Sequence, residues 1–413
     1  MTITPAVSAA TDEEELRKFP FWRRNLRVVP LANLLCSLGF SVSWPFLPLM
    51  VRSLGVQEHL ETWMGYMMLV FYVIGFTFAP IWGGLADHYG RKLMVLRAML
   101  GMGFFMTLIP FAPSPMWFAG LLMLVGFFNG FNPAGMSLLV ANTPRRHIGR
   151  VLSLAQTGAL VGQTMGPALG SLLAAFIDKQ HWVFWISGGL LLSGGTLVAV
   201  FAREVKHLAP GPWRPQWFSN LGELLAVPGI GPLFFLSFIF SVLANANVTI
   251  MTIYVLQLLA AQPEGAGSEA FWAGCVAMGL SVSSVIALPL WSRVVDRFNP
   301  ARVLAVVTGI AALAHVPLLF LDTPLQLVMT RVAFGLGASV MVPVVVRLLK
   351  EYAPPGMDAR AISYSSSFQL MAMGVAPFCA GLIGPALGLR TYFALTVVLT
   401  LAGLVLWLRK GRQ

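Results

Sequence analysis

Runs of about twenty apolar residues recur along this chain, parted by short polar loops, and they limit its fold more than any other feature. A backbone crossing lipid must satisfy its N–H and C=O groups internally, and a helix of that length covers the hydrocarbon core. Twelve segments can be placed, near 29–51, 62–86, 93–112, 116–141, 151–177, 182–202, 230–259, 270–292, 301–321, 324–346, 361–385 and 391–408. A 413-residue chain that is 57% hydrophobic and 10% charged carries more apolar side chain than a water-soluble core can hide. The expectation is an all-α polytopic membrane protein whose first partner is the lipid bilayer.

The formal charge of +11 would suggest nucleic acid in a soluble protein, but here the cations cluster at loop ends. With both termini on one side, 23 of the 27 Lys and Arg fall on that side. Arg52, Lys179 and Arg390 fall outside it, and Arg331 falls within a segment. The positive-inside rule then makes that side cytoplasmic, in a cytoplasmic (inner) membrane with both termini inside. Residues 1–28 read as a cytoplasmic tail, because the acidic run from Asp12 to Glu15 and the lack of an apolar core do not suit a cleavable signal. Cys36, Cys275 and Cys379 fall in three different segments and read as small packing residues, not a disulfide framework.

Six segments (29–202) and six more (230–408) flank residues 203–229, which are rich in Pro, Trp and charge and read as a cytoplasmic linker; residues 409–413 form a cytoplasmic tail. The linker's Trp and basic residues suit a membrane-surface segment, with a short amphipathic helix expected near Trp217 to Leu225. The halves repeat. Asp87 has Asp296 at an offset of 209 (296 − 87), and Leu122-x-x-x-Gly126 meets Arg331-x-x-x-Gly335 at the same offset. Gly149-Arg150 meets Ala359-Arg360, and Pro167 meets Pro377, both at 210. The chain therefore reads as two six-helix pseudo-repeats, as many secondary carriers are.

Between the second and third segments stands Gly83-Gly84-Leu85-Ala86-Asp87-His88-Tyr89-Gly90-Arg91-Lys92. Gly83 and Gly90 permit a sharp turn between close helices, while Asp87 can pair with Arg91 or with a cation on a neighbouring helix. Arg91 and Lys92 anchor the loop at the membrane surface. These residues, with Asp296 and Arg331, are the candidates for gating and coupling. The fifth segment carries Gly158-x-x-x-Gly162-x-x-x-Gly166-Pro167-x-x-Gly170. Glycines four apart share one helical face, and Pro167 bends the helix, so close helix packing accounts for the pattern as well as any special role.

None of the sixteen Asp and Glu sits in mid-segment, so no buried carboxylate is available to bind a cationic substrate. Arg331 is the fixed charge that remains; it faces a cavity or serves coupling, or else it is a structural anchor, snorkelling to the outer headgroups or bonded to backbone carbonyls. If protons are coupled, Asp87 and the outer-end acids Glu58 and Glu61 are the remaining carboxylates, and His315 is a weaker option. Polar side chains define an expected cavity: Asn33, Trp44, Asn129, Asn132, Gln156, Gln163, Asn245, Asn247, Tyr254, Tyr364 and Gln369. Buried amides need partners, so bonding between helices is the competing reading for each. The sequence has no G-x-x-x-x-G-K-[ST] loop, no H-E-x-x-H and no cysteine-pair metal pattern. Neither a cofactor nor a metal is expected, nor enzymatic or nucleic-acid-binding activity.

The G-x-x-x-D-x-x-G-R-K loop between hydrophobic helices resembles the loop signature of the major facilitator superfamily. The Gly-rich stretch ending in Gly166-Pro167 resembles the motif that marks proton-driven exporters in that superfamily. Trp22-Arg23-Arg24-Asn25-Leu26, Pro45-Phe46-Leu47-Pro48-Leu49, Thr323-Pro324-Leu325-Gln326-Leu327 and Ser363-Tyr364-x-x-Ser367-Phe368 look like stretches of bacterial twelve-helix multidrug:proton antiporters. The likeness spans about residues 20 to 410, and is closest to the branch associated with fosfomycin and bile-salt tolerance. It implies the major facilitator fold and secondary efflux, with a small-molecule substrate and protons as partners and a monomeric carrier. The family's helix-four arginine is replaced by Leu122, which speaks against a proton relay there; Arg331 keeps its counterpart in the second half. The expected function is export of small amphipathic, neutral or anionic molecules. A dedicated exporter of an endogenous metabolite such as a siderophore is the alternative, and a non-transporting membrane sensor the third reading.

Overall fold

A computed structural model describes residues 19–144, 147–176, 181–205, 221–245, 249–262, 268–354 and 357–410. The elements follow the apolar runs. The first half holds α1 (Trp22–Ser53), α2 (Leu60–Tyr89), α3 (Arg91–Phe111), α4 (Pro115–Ala141), α5 (Ile148–Phe176) and α6 (His181–Phe201). The second half holds α7 (Ile230–Asn245 and Thr249–Ala260), α8 (Glu269–Arg297), α9 (Pro300–Leu319), α10 (Pro324–Tyr352), α11 (Asp358–Leu387) and α12 (Leu389–Lys410). Among the described residues, 11 helical spans are long and apolar enough to cross a membrane. The remaining one, α5, has 29 residues, or roughly 43 Å at 1.5 Å per residue.

Helix α1 begins at Trp22, ahead of the apolar run that starts near residue 29. Tertiary partners hold its polar first turns. Asn25 both donates to the Arg203 carbonyl (2.6 Å) and accepts from the Arg203 N–H (3.0 Å), and Trp22 stacks on His147 at 4.6 Å. Of the expected linker helix, the described part is the short Leu221–Ala226. Residues 203–205 are tied down by Asn25, by Glu204 and by Asn142, whose side-chain oxygen accepts from Val205 N–H at 2.7 Å.

Helices α4 and α10 are each broken, α4 at Asn129-Gly130 with Gly130 at φ 115°, and α10 after Ala338. In lipid a freed carbonyl needs a donor, and both breaks have one. Trp82 Nε1 donates to the Phe127 carbonyl at 3.0 Å, and Trp291 Nε1 to the Leu336 carbonyl at 2.6 Å. Both donor and acceptor repeat at an offset of 209 (291 − 82 and 336 − 127). Gly126 repeats the same way: a Cβ on it would meet the Phe71 carbonyl, and one on Gly335 the Leu280 carbonyl.

The halves touch along two seams, α2 with α11 and α5 with α8. Three side-chain joins cross between them on the face opposite the 83–92 loop. Arg52 pairs with Glu269 at 2.5 Å, Thr62 Oγ1 donates to the Gly381 carbonyl at 2.7 Å, and Thr252 Oγ1 donates to the Pro45 carbonyl at 3.1 Å. Toward the loop face the surroundings are open: nothing lies within 4 Å of where a Cβ on Gly83 would stand. On that side Ser153 and Gln156 of α5 and Ser363 and Ser366 of α11 are exposed.

Candidate functional site

At the α5–α8 seam lies a cavity of about 270 Å³, lined from both halves. Helix α5 contributes Leu160, Gln163 and Thr164, and α8 contributes Leu280, Ser281, Ser284 and Val285; Ala244, Phe334, Ala338 and Ser339 complete the wall. The described lining holds an amide and several hydroxyls and no carboxylate. Gln163 stands in it and Gln156 is exposed on the same helix nearer the loop face. A narrow, mixed polar and apolar chamber shared by two bundles suits a small amphipathic organic molecule.

The other expected cavity residues are dispersed. Asn33 is fully buried and donates to the Asn132 side chain at 3.3 Å, bonding α1 to α4. Tyr254 is buried and its hydroxyl donates to the Leu318 carbonyl at 2.9 Å, which makes it a tie to α9. Trp44 sits in an aromatic cluster with Phe40, Phe71 and Tyr72, below the closed face. Gln369 reaches Ser237 and Ser365 at 3.5 and 3.4 Å, and Tyr364 is half-buried. Asn247 and the side chain of Asn245 lie outside the described residues, as do the side chains of Asp87 and Asp296.

The glycine stripe of α5 faces α1, not the cavity. A Cβ on Gly158 would stand 2.8 Å from the Pro30 carbonyl, one on Gly162 2.5 Å from that of Leu34, and one on Gly170 2.9 Å from that of Val42. Gly166 lies against Ser41, whose hydroxyl donates to the Gly162 carbonyl at 3.0 Å. The pattern with Pro167 lets two helices of the same half pack backbone to backbone.

The signature loop is built by a partner that the sequence reading missed. Glu204 lies just beyond α6, and its carboxylate accepts from the backbone N–H of Arg91 (2.7 Å) and of Lys92 (3.0 Å). It thus caps the start of α3, where Gly90 turns the chain at φ 106° and offers no cap of its own. Lys92 returns the favour at the end of α6, its Nζ donating to the carbonyls of Ala199 and Ala202, both at 2.8 Å. Lys92 is therefore tied into the fold in this conformation. Arg97 is a second omission. Its guanidinium lies 3.9 Å from the Trp82 ring centroid and donates to the Phe127 and Asn129 carbonyls at 3.4 Å. With Trp82, Gly83, Asn129 and Ser137 it lines a cleft of about 310 Å³ beside the loop. Leu122, where the family resemblance expects arginine, is buried, and the cation meeting α4 comes from α3. The recurrence of Trp82 as Trp291 at the 209 offset was the available signal (291 − 82).

Arg331 is the deepest charge described. It is 1% exposed, its Nη1 and Nη2 make no hydrogen bond, and its guanidinium carbon lies 4.8 Å from the Phe334 ring centroid. That excludes the snorkelling alternative.

Two helical bundles closed against each other at one end, with a shared chamber between them, define a membrane carrier. The family profile described as Major Facilitator Superfamily matches residues 31–281 and 233–413. Multidrug resistance protein MdtG of Rahnella sp. (strain Y9602) is 31% identical over 413 residues, covering 98% of each chain. MdtG of Citrobacter koseri is 31% identical over 388 residues, covering 94% of this chain and 93% of its own. Among solved structures, a point mutant of the nucleoside transporter NupG matches with a TM-score of 0.74 at 12% identity, over 93% of this chain and 99% of its own. An inward-facing, unoccupied bacterial homolog of the human lysosomal transporter Spinster matches at 0.73 and 14% identity, over 94% and 96%. The chain belongs to the major facilitator superfamily, in its multidrug efflux family.

Proposed function

We propose that this multi-pass membrane transporter exports small amphipathic, neutral or anionic organic molecules in exchange for protons, by alternating access across the cytoplasmic membrane. The observation that carries the reading is the chamber of Gln163, Thr164, Ser281, Ser284 and Phe334, held between halves that are joined only toward one face among the described contacts given above. With the cation-rich loop face cytoplasmic, this conformation is the one that loads from inside. Rocking the halves would then break the joins at Arg52–Glu269, Thr62–Gly381 and Thr252–Pro45 and close the loop face, where Asp87 and Asp296 stand in the repeated signature. The lack of a carboxylate in the described lining supports neutral or anionic cargo, and the fixed charge of Arg331 packs on one of the lining residues, Phe334.

The hydroxyl- and amide-rich lining also suits a polar endogenous metabolite such as a siderophore. One experiment separates the readings: extracellular metabolite and drug profiling of cells with and without the gene, in iron-replete and iron-starved media. Increased sensitivity of the deletion strain to several unrelated amphipathic compounds is the expected result. A chelator retained inside only the deletion strain would make it a dedicated exporter. Counterflow in proteoliposomes tests transport itself, and its absence for every compound that sensitises the cells would leave a sensor.

A further inference from the structure

The chamber wall conceals a second polar group. Phe334 lines the chamber although it is itself 1% exposed, because its ring also packs against two buried basic side chains. Arg331, one turn earlier on α10, places its guanidinium over the ring at 4.8 Å. His315, at the end of the main helix of α9, meets the ring edge-on at 4.3 Å. Phe240 of α7 stacks on the same ring at 6.4 Å. Both Arg331 and His315 are 1% exposed.

His315 Nδ1 lies 3.0 Å from the Ala311 carbonyl. A carbonyl can only accept, so Nδ1 donates to it, and an imidazole carries no negative charge in either protonation state. His315 is thus a wall that fixes the ring's edge and supplies no counter-charge. The face of one aromatic ring offsets only a minor share of what it costs to bury a guanidinium, and a lone buried cation is retained where some other state of the protein gives it a partner. Phe334 touches both, lying under the guanidinium and lining the chamber, so the chamber is a space from which such a partner can come.

We propose that Arg331 is an oxyanion site closed by Phe334: when the ring rotates, a carboxylate or like oxyanion on the cargo reaches the guanidinium and is held by its two terminal nitrogens. The planar fork of Arg matches such groups bidentately, and the apolar remainder of the cargo stays in the chamber against Leu160, Leu280 and Val285. This rests on the carrier reading and adds to it which chemical group is selected, by which residue, and through which door.

The test uses the full-length protein in proteoliposomes, with 1-naphthoate and its neutral methyl ester as paired probes and phenylglyoxal as an arginine reagent read by peptide mass spectrometry. In the wild type, Arg331 should be modified slowly, with exposed Arg390 as internal reference. Phe334→Ala should raise Arg331 modification roughly tenfold, and 1-naphthoate should then protect it while the ester does not. In Arg331→Lys, affinity for 1-naphthoate should fall at least roughly tenfold, the equivalent of losing a charged hydrogen-bonded pair, with the ester unaffected. Modification of Arg331 unchanged by Phe334→Ala, or protection that fails or is equal for acid and ester, would overturn the proposal. The labelling arm needs no transport, and Phe334→Ala leaves Arg331 itself in place should Arg331→Lys fail to fold. A wild-type protein that moves neither probe while still showing the gated, acid-specific protection would instead count against the carrier reading alone.

Discussion

Replacing Gly162 by alanine tests whether the α5 stripe is a packing seam. The added Cβ would stand 2.5 Å from the Leu34 carbonyl oxygen, 2.7 Å from the Leu38 nitrogen and 2.8 Å from the Ser37 Cβ. All three neighbours are backbone or the first side-chain atom, so none can rotate away, and α1 and α5 must separate by several tenths of an ångström. Overpacking of this kind costs about 1–3 kcal/mol. Alanine recovers about 1 kcal/mol in helix propensity, which leaves a net loss of about 0–2 kcal/mol, and three contacts below 3.0 Å put Gly162 in the upper half, about 1–2 kcal/mol. At ~2–4 °C per kcal/mol for a bundle of this size, the melting temperature in detergent should fall by roughly 2–8 °C. Gly189→Ala on α6 is the control, because nothing lies within 4 Å of its Cβ position. It should melt at or slightly above the wild type. The assay is thermal unfolding of purified protein, followed by efflux normalised to the folded amount. If Gly162→Ala melts with the wild type, the helices are not held at backbone contact and the reasoning is refuted.

The two tryptophan donors at the helix breaks should differ in importance. Trp291→Phe strips the Leu336 carbonyl of its 2.6 Å donor and should cost about 1–3 kcal/mol, whereas Trp82→Phe should cost less because Arg97 still reaches the Phe127 carbonyl. Thermal unfolding of the two variants side by side checks this, and equal losses would contradict it. Glu204→Ala removes the cap of α3 and should lower stability by about 0.5–2 kcal/mol, with faster proteolysis of the linker beyond residue 205. Unchanged melting and cleavage would show that the cap carries little. Asp87→Asn should abolish most efflux while the protein remains inserted and folds normally, measured as drug accumulation against expression level. Efflux at the wild-type rate would remove Asp87 from the gating machinery.

The membrane-spanning fold was legible in the sequence because it rests on local quantities. Apolar runs long enough to cross a bilayer, cations gathered at loop ends and residues repeated at one offset are all written along the chain. The same repeat carried Trp82 and Trp291, whose shared role at the helix breaks becomes visible only when the acceptor carbonyls are in place. Polarity of a segment, by contrast, does not tell which way a side chain faces. Gln163 lines the shared chamber, whereas Asn33 and Tyr254 spend their polar groups on Asn132 and on the Leu318 carbonyl. In a bilayer every polar atom seeks a partner, and a neighbouring helix supplies one as readily as a ligand does. Sequence alone therefore determined the class of protein, the two-half plan and the singular position of Arg331. Tertiary structure decided what each of these meets: that the glycines of α5 lie on α1, that Glu204 closes the signature loop from far along the chain, and that Phe334 touches both the buried arginine and the chamber. Those are contacts between residues distant in sequence, fixed by how twelve helices pack and not by the propensity of any one of them.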